Sequence, residues 1–92
     1  MLRNSTNDPP LEPEALALQA LAATLTDERR ARRFLDLTGL DADELRSRAG
    51  ERSLLAATLA FLEAHEPDLV AVAQAIGTKP GKLIAARLEL ER

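Results

Sequence analysis

The sequence predicts an all-α fold, a compact orthogonal bundle of about five to six short helices with helix-turn-helix-like corners. Three observations predict it. Leucine and alanine dominate the apolar residues, and both are strong helix formers. The strand-favouring residues are scarce: Phe34 and Phe61 are the only aromatics, and Val70, Val72, Ile76 and Ile84 the only valines and isoleucines. Prolines and glycines fall at helix-length intervals, at Pro13, Gly39, Gly50, Pro67 and Gly77, where they start or stop helices rather than interrupt them.

Residues 1–11 read as a disordered tail, polar and carrying the pair Pro9-Pro10. Residues 12–92 read as one helical domain, a size that closes a single core with little to spare. Pro13 suits the first position of a helix running to about Leu25. Leu11, Ala15, Leu18, Leu21, Ala22 and Leu25 form one apolar stripe on it. Leu16, Ala17, Ala20 and Ala23 fill its other sides, and a helix apolar all round is expected to be buried.

Thr26 is placed to cap a second helix, whose first turn holds Asp27 and Glu28 near the positive end of the helix dipole. Its inward residues are Ala31, Phe34, Leu35 and Thr38, and Gly39 ends it in a left-handed conformation. Asp41 and Glu44 have capping-box spacing and open a short third helix, with Leu45 and Ala49 inward and Gly50 at its end. A fourth helix, nearly all apolar, is expected from Ser53 to His65. Pro67 stops it and opens the fifth, whose stripe is Leu69, Val72, Ala73 and Ile76. Gly77 ends that helix, Thr78 to Gly81 form a turn, and a sixth helix carries Leu83, Ile84, Ala86 and Leu88.

Composition excludes several classes of function. With 46% apolar and 29% charged residues the chain is not a membrane bundle, and no apolar stretch approaches the roughly 18 residues a span needs. The absence of cysteine removes disulfides, cysteinyl metal sites and thiol nucleophiles, and fits a cytoplasmic location. His65 is the only histidine, expected in the last turn of the fourth helix, so neither a typical zinc site nor a Glu-x-x-His di-iron site can be assembled. The serines Ser5, Ser47 and Ser53 lack a nucleophile-elbow context, and the four glycines are isolated punctuation rather than a phosphate loop. No enzyme, cofactor or metal is expected.

Two features carry a mechanism. Leu35, Gly39 and Leu45 recur in spacing as Ala73, Gly77 and Leu83, the skeleton of a helix-turn-helix. Nucleic-acid binding through the second copy rests on Lys79, Lys82 and Arg87. Against it stand the net charge of −3, Gly81 near the helix start, and Glu89 and Glu91, which repel phosphate. A purely structural corner needs the same residues. Residues 27–52 also hold seven arginines, Arg29, Arg30, Arg32, Arg33, Arg46, Arg48 and Arg52, balanced by seven acidic residues. They read as a solvated face laced with pairs such as Glu28 to Arg32 and Arg32 to Asp36, or as a patch for an acidic partner or phosphate.

The first and fourth helices are so apolar that a chain this short covers both only with difficulty: either a monomer's six helices just manage it, or an exposed apolar patch is left, and such patches mark interfaces. Ala56, Ala60 and Ala64 follow one i, i+4 ridge that permits close helix approach and is the candidate interface. The expected function is a protein-interaction or self-association module with a protein partner or a second copy. The alternative is a helix-turn-helix regulator.

Three segments carry a family resemblance: Pro13-Glu14-Ala15-Leu16-Ala17-Leu18-Gln19-Ala20-Leu21, Arg33-Phe34-Leu35-Asp36-Leu37-Thr38-Gly39-Leu40-Asp41, and Phe61-Leu62. Together they resemble a family of small alphaproteobacterial helical proteins grouped as a domain of unknown function, DUF3572. The resemblance implies a bacterial cytoplasmic protein and carries no catalytic or ligand residue with it.

Overall fold

The computed structural model describes residues 12–92, and the tail expected over 1–11 lies outside them, as does Leu11 of the first stripe. Six α-helices follow in order: α1 (Pro13–Thr24), α2 (Glu28–Thr38), α3 (Ala42–Ser47), α4 (Arg52–Glu63), α5 (Glu66–Ala75) and α6 (Pro80–Leu90). No strand occurs among the described residues. The fold is an all-α bundle, as its composition predicts.

Local chemistry sets most boundaries. Pro13 opens α1, where its missing N–H costs nothing. The Asp27 carboxylate, rather than the Thr26 hydroxyl, caps α2 by accepting the Arg30 N–H at 2.9 Å. The Thr26 hydroxyl instead donates back to the Ala23 carbonyl at 2.7 Å and helps close α1. Asp41 and Glu44 form the full capping box: the Glu44 N–H donates to Asp41 at 2.8 Å, and the Asp41 N–H donates to Glu44 at 3.1 Å.

Gly39 and Gly77 take φ of +73° and +74°, the left-handed conformation open to glycine without a Cβ clash. The Gly39 N–H donates to the Leu35 carbonyl at 2.9 Å. After α5, the Thr78 N–H donates to Ala73 at 2.9 Å and the Gly77 N–H to Gln74 at 3.2 Å, which is the Schellman arrangement. The two corners that match in sequence thus share one backbone device.

Three expected boundaries shift. α3 ends at Ser47, before Gly50, whose φ is not left-handed. Its final carbonyls are taken early, Glu44 accepting from the Arg48 N–H at 3.0 Å and from the Ser47 hydroxyl at 3.1 Å. α4 ends at Glu63, so His65 is not in its last turn but at the N-cap of α5, exposed and making no capping hydrogen bond. The expected turn through Gly81 is shorter, because Pro80 already opens α6 and places Gly81 in its first turn.

The core is built by α1, α4 and α6, which pack on one another, with α5 lying against all three. Leu55, Leu59, Leu62, Val72 and Leu83 are fully buried there, and Ala17 and Ala20 bring α1 close to its neighbours. Two buried hydroxyls are satisfied within their own helices, Thr24 donating to Ala20 at 2.7 Å and Thr58 to Leu54 at 2.9 Å. α2 and α3 are appended to this core. α2 touches mainly α1, and α3 makes few contacts with any other helix. Phe34 anchors α2, fully buried and edge-on to Phe61 with centroids 5.1 Å apart.

Candidate interaction groove

α1 is apolar on every side, yet one side faces out. Leu16, Ala17, Ala20, Leu21, Ala23 and Thr24 are buried. Ala15, Leu18, Ala22 and Leu25 are exposed, Leu18 by 46% and Leu25 by 38%. This corrects the expectation of a buried first helix. Most of the predicted inward stripe points to solvent, because the small residues Ala17 and Ala20 face α4 and α6 and permit the closer approach.

The appended helices turn this outward face into a groove of about 380 Å³. Leu18, Leu21, Ala22 and Leu25 of α1 and its end form the floor, Ala31 and Leu35 of α2 one wall, and Ala42, Leu45, Arg46 and Ala49 around α3 the other. Among the described residues Arg46 is the only ionisable one lining it, and its guanidinium pairs with Asp43 at 3.0 Å. Between Ala15 and Leu25 the chain has no charged residue.

The walls are held in place by polar chemistry outside the groove. The Arg30 guanidinium donates to the Ala23 carbonyl at 2.9 Å and the Thr24 carbonyl at 3.3 Å, closing the open end of α1. It also lies 4.0 Å from Asp68 of α5, to which Arg33 forms a hydrogen-bonded ion pair. Arg33 in addition stacks over the Phe61 ring, 5.5 Å from its centroid. On the other side, Leu45 of α3 is buried against the core.

The arginine-rich segment thereby divides. Arg30, Arg33, Arg46, Arg48 and Arg52 are engaged, Arg52 with Glu14 at 2.9 Å and with the Leu90 and Glu89 carbonyls that end α6. The pairs expected along α2, Glu28 to Arg32 and Arg32 to Asp36, do not form, and the ion pair that α2 makes runs from Arg33 across to Asp68 of α5. Arg29 and Arg32 have no carboxylate within 4.0 Å among the described residues. They line a shallow surface with Glu28, Arg33 and Asp36.

The residues singled out by sequence are scattered. Ala56 is buried, Ala60 is exposed within α4, and Ala64 is the exposed C-cap beyond the helix, so the three do not make one open ridge. The exposed apolar face lies on α1 instead. Lys79 is the N-cap of α6 and Lys82 is in its first turn, both exposed. Arg87 is not available beside them. Its guanidinium is held by Glu63 on α4 and by Glu91 at 2.7 Å, and the Glu63 hydrogen bonds raise its pKa above the ordinary arginine value. The outward side of α6 then presents Lys82, Ala85, Leu88 and Glu89, with no Asn, Gln, Ser or Arg for base readout. Among the described residues no group of three or more His, Asp or Glu side chains could hold a metal ion, and no helix is long and apolar enough to cross a membrane.

The walls of the groove escaped sequence reasoning. Ala31, Leu35 and Ala49 each look like an inward residue of its own helix, and only the way α2 and α3 lean away from the core leaves a gap between them. The available signal was the 15–25 stretch itself, alternating alanine and leucine at heptad spacing without a charge.

Fold and surface together define a small all-helical domain with an open apolar groove beside a helix that carries no charge after its first turn. The chain belongs to the family described as "Protein of unknown function (DUF3572)", whose model matches residues 10–92. No curated protein and no solved structure matches the chain.

Proposed function

We propose that this protein is a non-catalytic helical interaction module that docks an apolar protein surface in the groove between α1, α2 and α3. The observation that carries the reading is the outward face of α1, where Leu18, Ala22 and Leu25 are exposed side by side in a chain that is otherwise 29% charged. Isolated surface leucines are ordinary, but a contiguous apolar groove with a polar surround is the usual form of a protein-binding site. Its volume and apolar walls suit the side chains of a helix laid along it. A cytoplasmic setting belongs to the same reading. Nucleic-acid binding draws less support, since Arg87 is taken by Glu63 and Glu91.

A single thiol tests the groove, because the chain has no cysteine. Ala22→Cys places it on the groove floor and Leu37→Cys on an exposed position outside the groove. In intact cells the Ala22→Cys thiol is expected to alkylate much more slowly than the Leu37→Cys thiol, and equally slowly in the dark interior of any complex that survives lysis. Equal alkylation rates in cells would rule out an occupied groove.

A further inference from the structure

The outward stripe of α1 is its own complement. Ala15 and Ala22 are one heptad apart, as are Leu18 and Leu25. Turned end for end about residue 20, the set maps onto itself: position 15 meets 25, and position 18 meets 22. Every leucine then faces an alanine. A two-fold interface requires a patch that fits its own copy in this way. The match is geometric and independent of the groove, yet the two agree. The groove lies along the second half of α1, which is where the first half of an antiparallel copy passes.

Charge selects the same arrangement. The start of α1 carries Glu12 and Glu14, of which Glu14 is paired with Arg52. Just past its other end, Arg30 and Arg33 are taken by Asp68, while Arg29 and Arg32 lie on the surface beside Glu28 and Asp36. Glu12, Arg29 and Arg32 have no opposite charge within 4.0 Å among the described residues. An antiparallel pair brings Glu12 of one copy toward Arg29 and Arg32 of the other and opposes the two helix dipoles. A parallel pair places like charges together.

We infer that the occupant of the groove is a second copy of this chain, docked antiparallel across α1 about a two-fold axis near Ala20, with Leu18 of each copy seated against Ala22 and in the groove of the other. The inference rests on the interaction reading above, and narrows it to one partner.

The purified full chain tests it. At protein concentrations on the order of 100 μM, sedimentation equilibrium should give twice the chain mass of 10.0 kDa. Leu18→Glu should return the mass to that of one chain with an unchanged helical circular-dichroism spectrum, since Leu18 is half exposed and outside the core. Leu88→Glu, equally exposed on α6, should leave the dimer intact. Orientation is read by oxidising an equal mixture of Leu18→Cys and Ala22→Cys proteins. The mixed disulfide should exceed either symmetric one by on the order of tenfold, well above the roughly twofold of random pairing, because only facing positions come within disulfide reach. A single-chain mass throughout, a dimer that survives Leu18→Glu, or a mixed disulfide no more than about twice either symmetric one would each overturn the inference. A purified monomer whose Ala22→Cys thiol is still protected in cells would leave the groove as an interface for a foreign protein and sink only the second-copy assignment.

Discussion

Gly77 and Gly39 hold the chain in a backbone region that other residues enter only under strain, whereas Gly81 sits in the first turn of α6 without a positive φ. A Cβ at any of these positions would meet no atom within 4 Å, so conformation alone separates them. Gly77→Ala is therefore expected to lower stability by about 1 kcal/mol, and Gly81→Ala to raise it by about 0.5 kcal/mol, in urea unfolding. Two changes of the same sign would contradict the assignment of the corners. Asp27 gives a second test at this scale. The Arg30 N–H donated to its carboxylate, with the nearby arginine charges, holds its pKa below the ordinary 3.8. A carboxylate depressed on folding stabilises above its unfolded pKa and loses that contribution as pH falls through the lowered folded value. Asp27→Asn should thus unfold more readily than the parent at neutral pH, with the difference shrinking below about pH 4 as the parent's carboxylate is protonated. Thermal melts of the two proteins across that range measure it.

α2 and α3 are held to the molecule differently from the rest. The other helices share a common core, while α2 hangs on Phe34, on the Arg30 contacts to the end of α1, and on the Arg33 pair with Asp68. Phe34→Ala empties a fully buried site and is expected to cost about 3–5 kcal/mol. Its effect should concentrate locally. Amide exchange should accelerate first in α2 and α3, which have the fewest contacts to the core, and only later in α1, α4 and α6. Uniform acceleration across all six helices would show that α2 is integral to the core rather than appended. The same loose attachment creates the groove, since its walls are the two helices least committed to the interior.

At the scale of the whole molecule, association and stability are linked. A chain that pairs only when folded gains stability by mass action, so its melting temperature should rise with protein concentration, and the rise should vanish in Leu18→Glu. A concentration-independent melt of the parent would argue that the exposed face of α1 stays open. The charge distribution gives a complementary expectation. With a net charge of −3, and with Arg87 drawn into pairs with Glu63 and Glu91, the protein should show no salt-dependent retention on DNA. Retention lost on neutralising Lys79 and Lys82 would restore the regulatory reading.

Much of the fold was legible because its signals are local. Pro13, Asp41 with Glu44, Pro67, and the glycines at 39 and 77 act on the hydrogen bonds of their own turns, so no distant partner is needed to read them. The small boundary errors at Gly50, His65 and Gly81 arose where two local signals competed within a few residues. The site was less legible. A helix apolar on all sides, such as α1, carries no direction in its sequence, because every face could be the buried one. The sequence by itself determined about six short helices and more apolar surface than they easily cover. Only the tertiary structure decided where that surface lies: the close packing of Ala17 and Ala20 against α4 and α6 chose the inner face, and so turned Leu18, Ala22 and Leu25 outward.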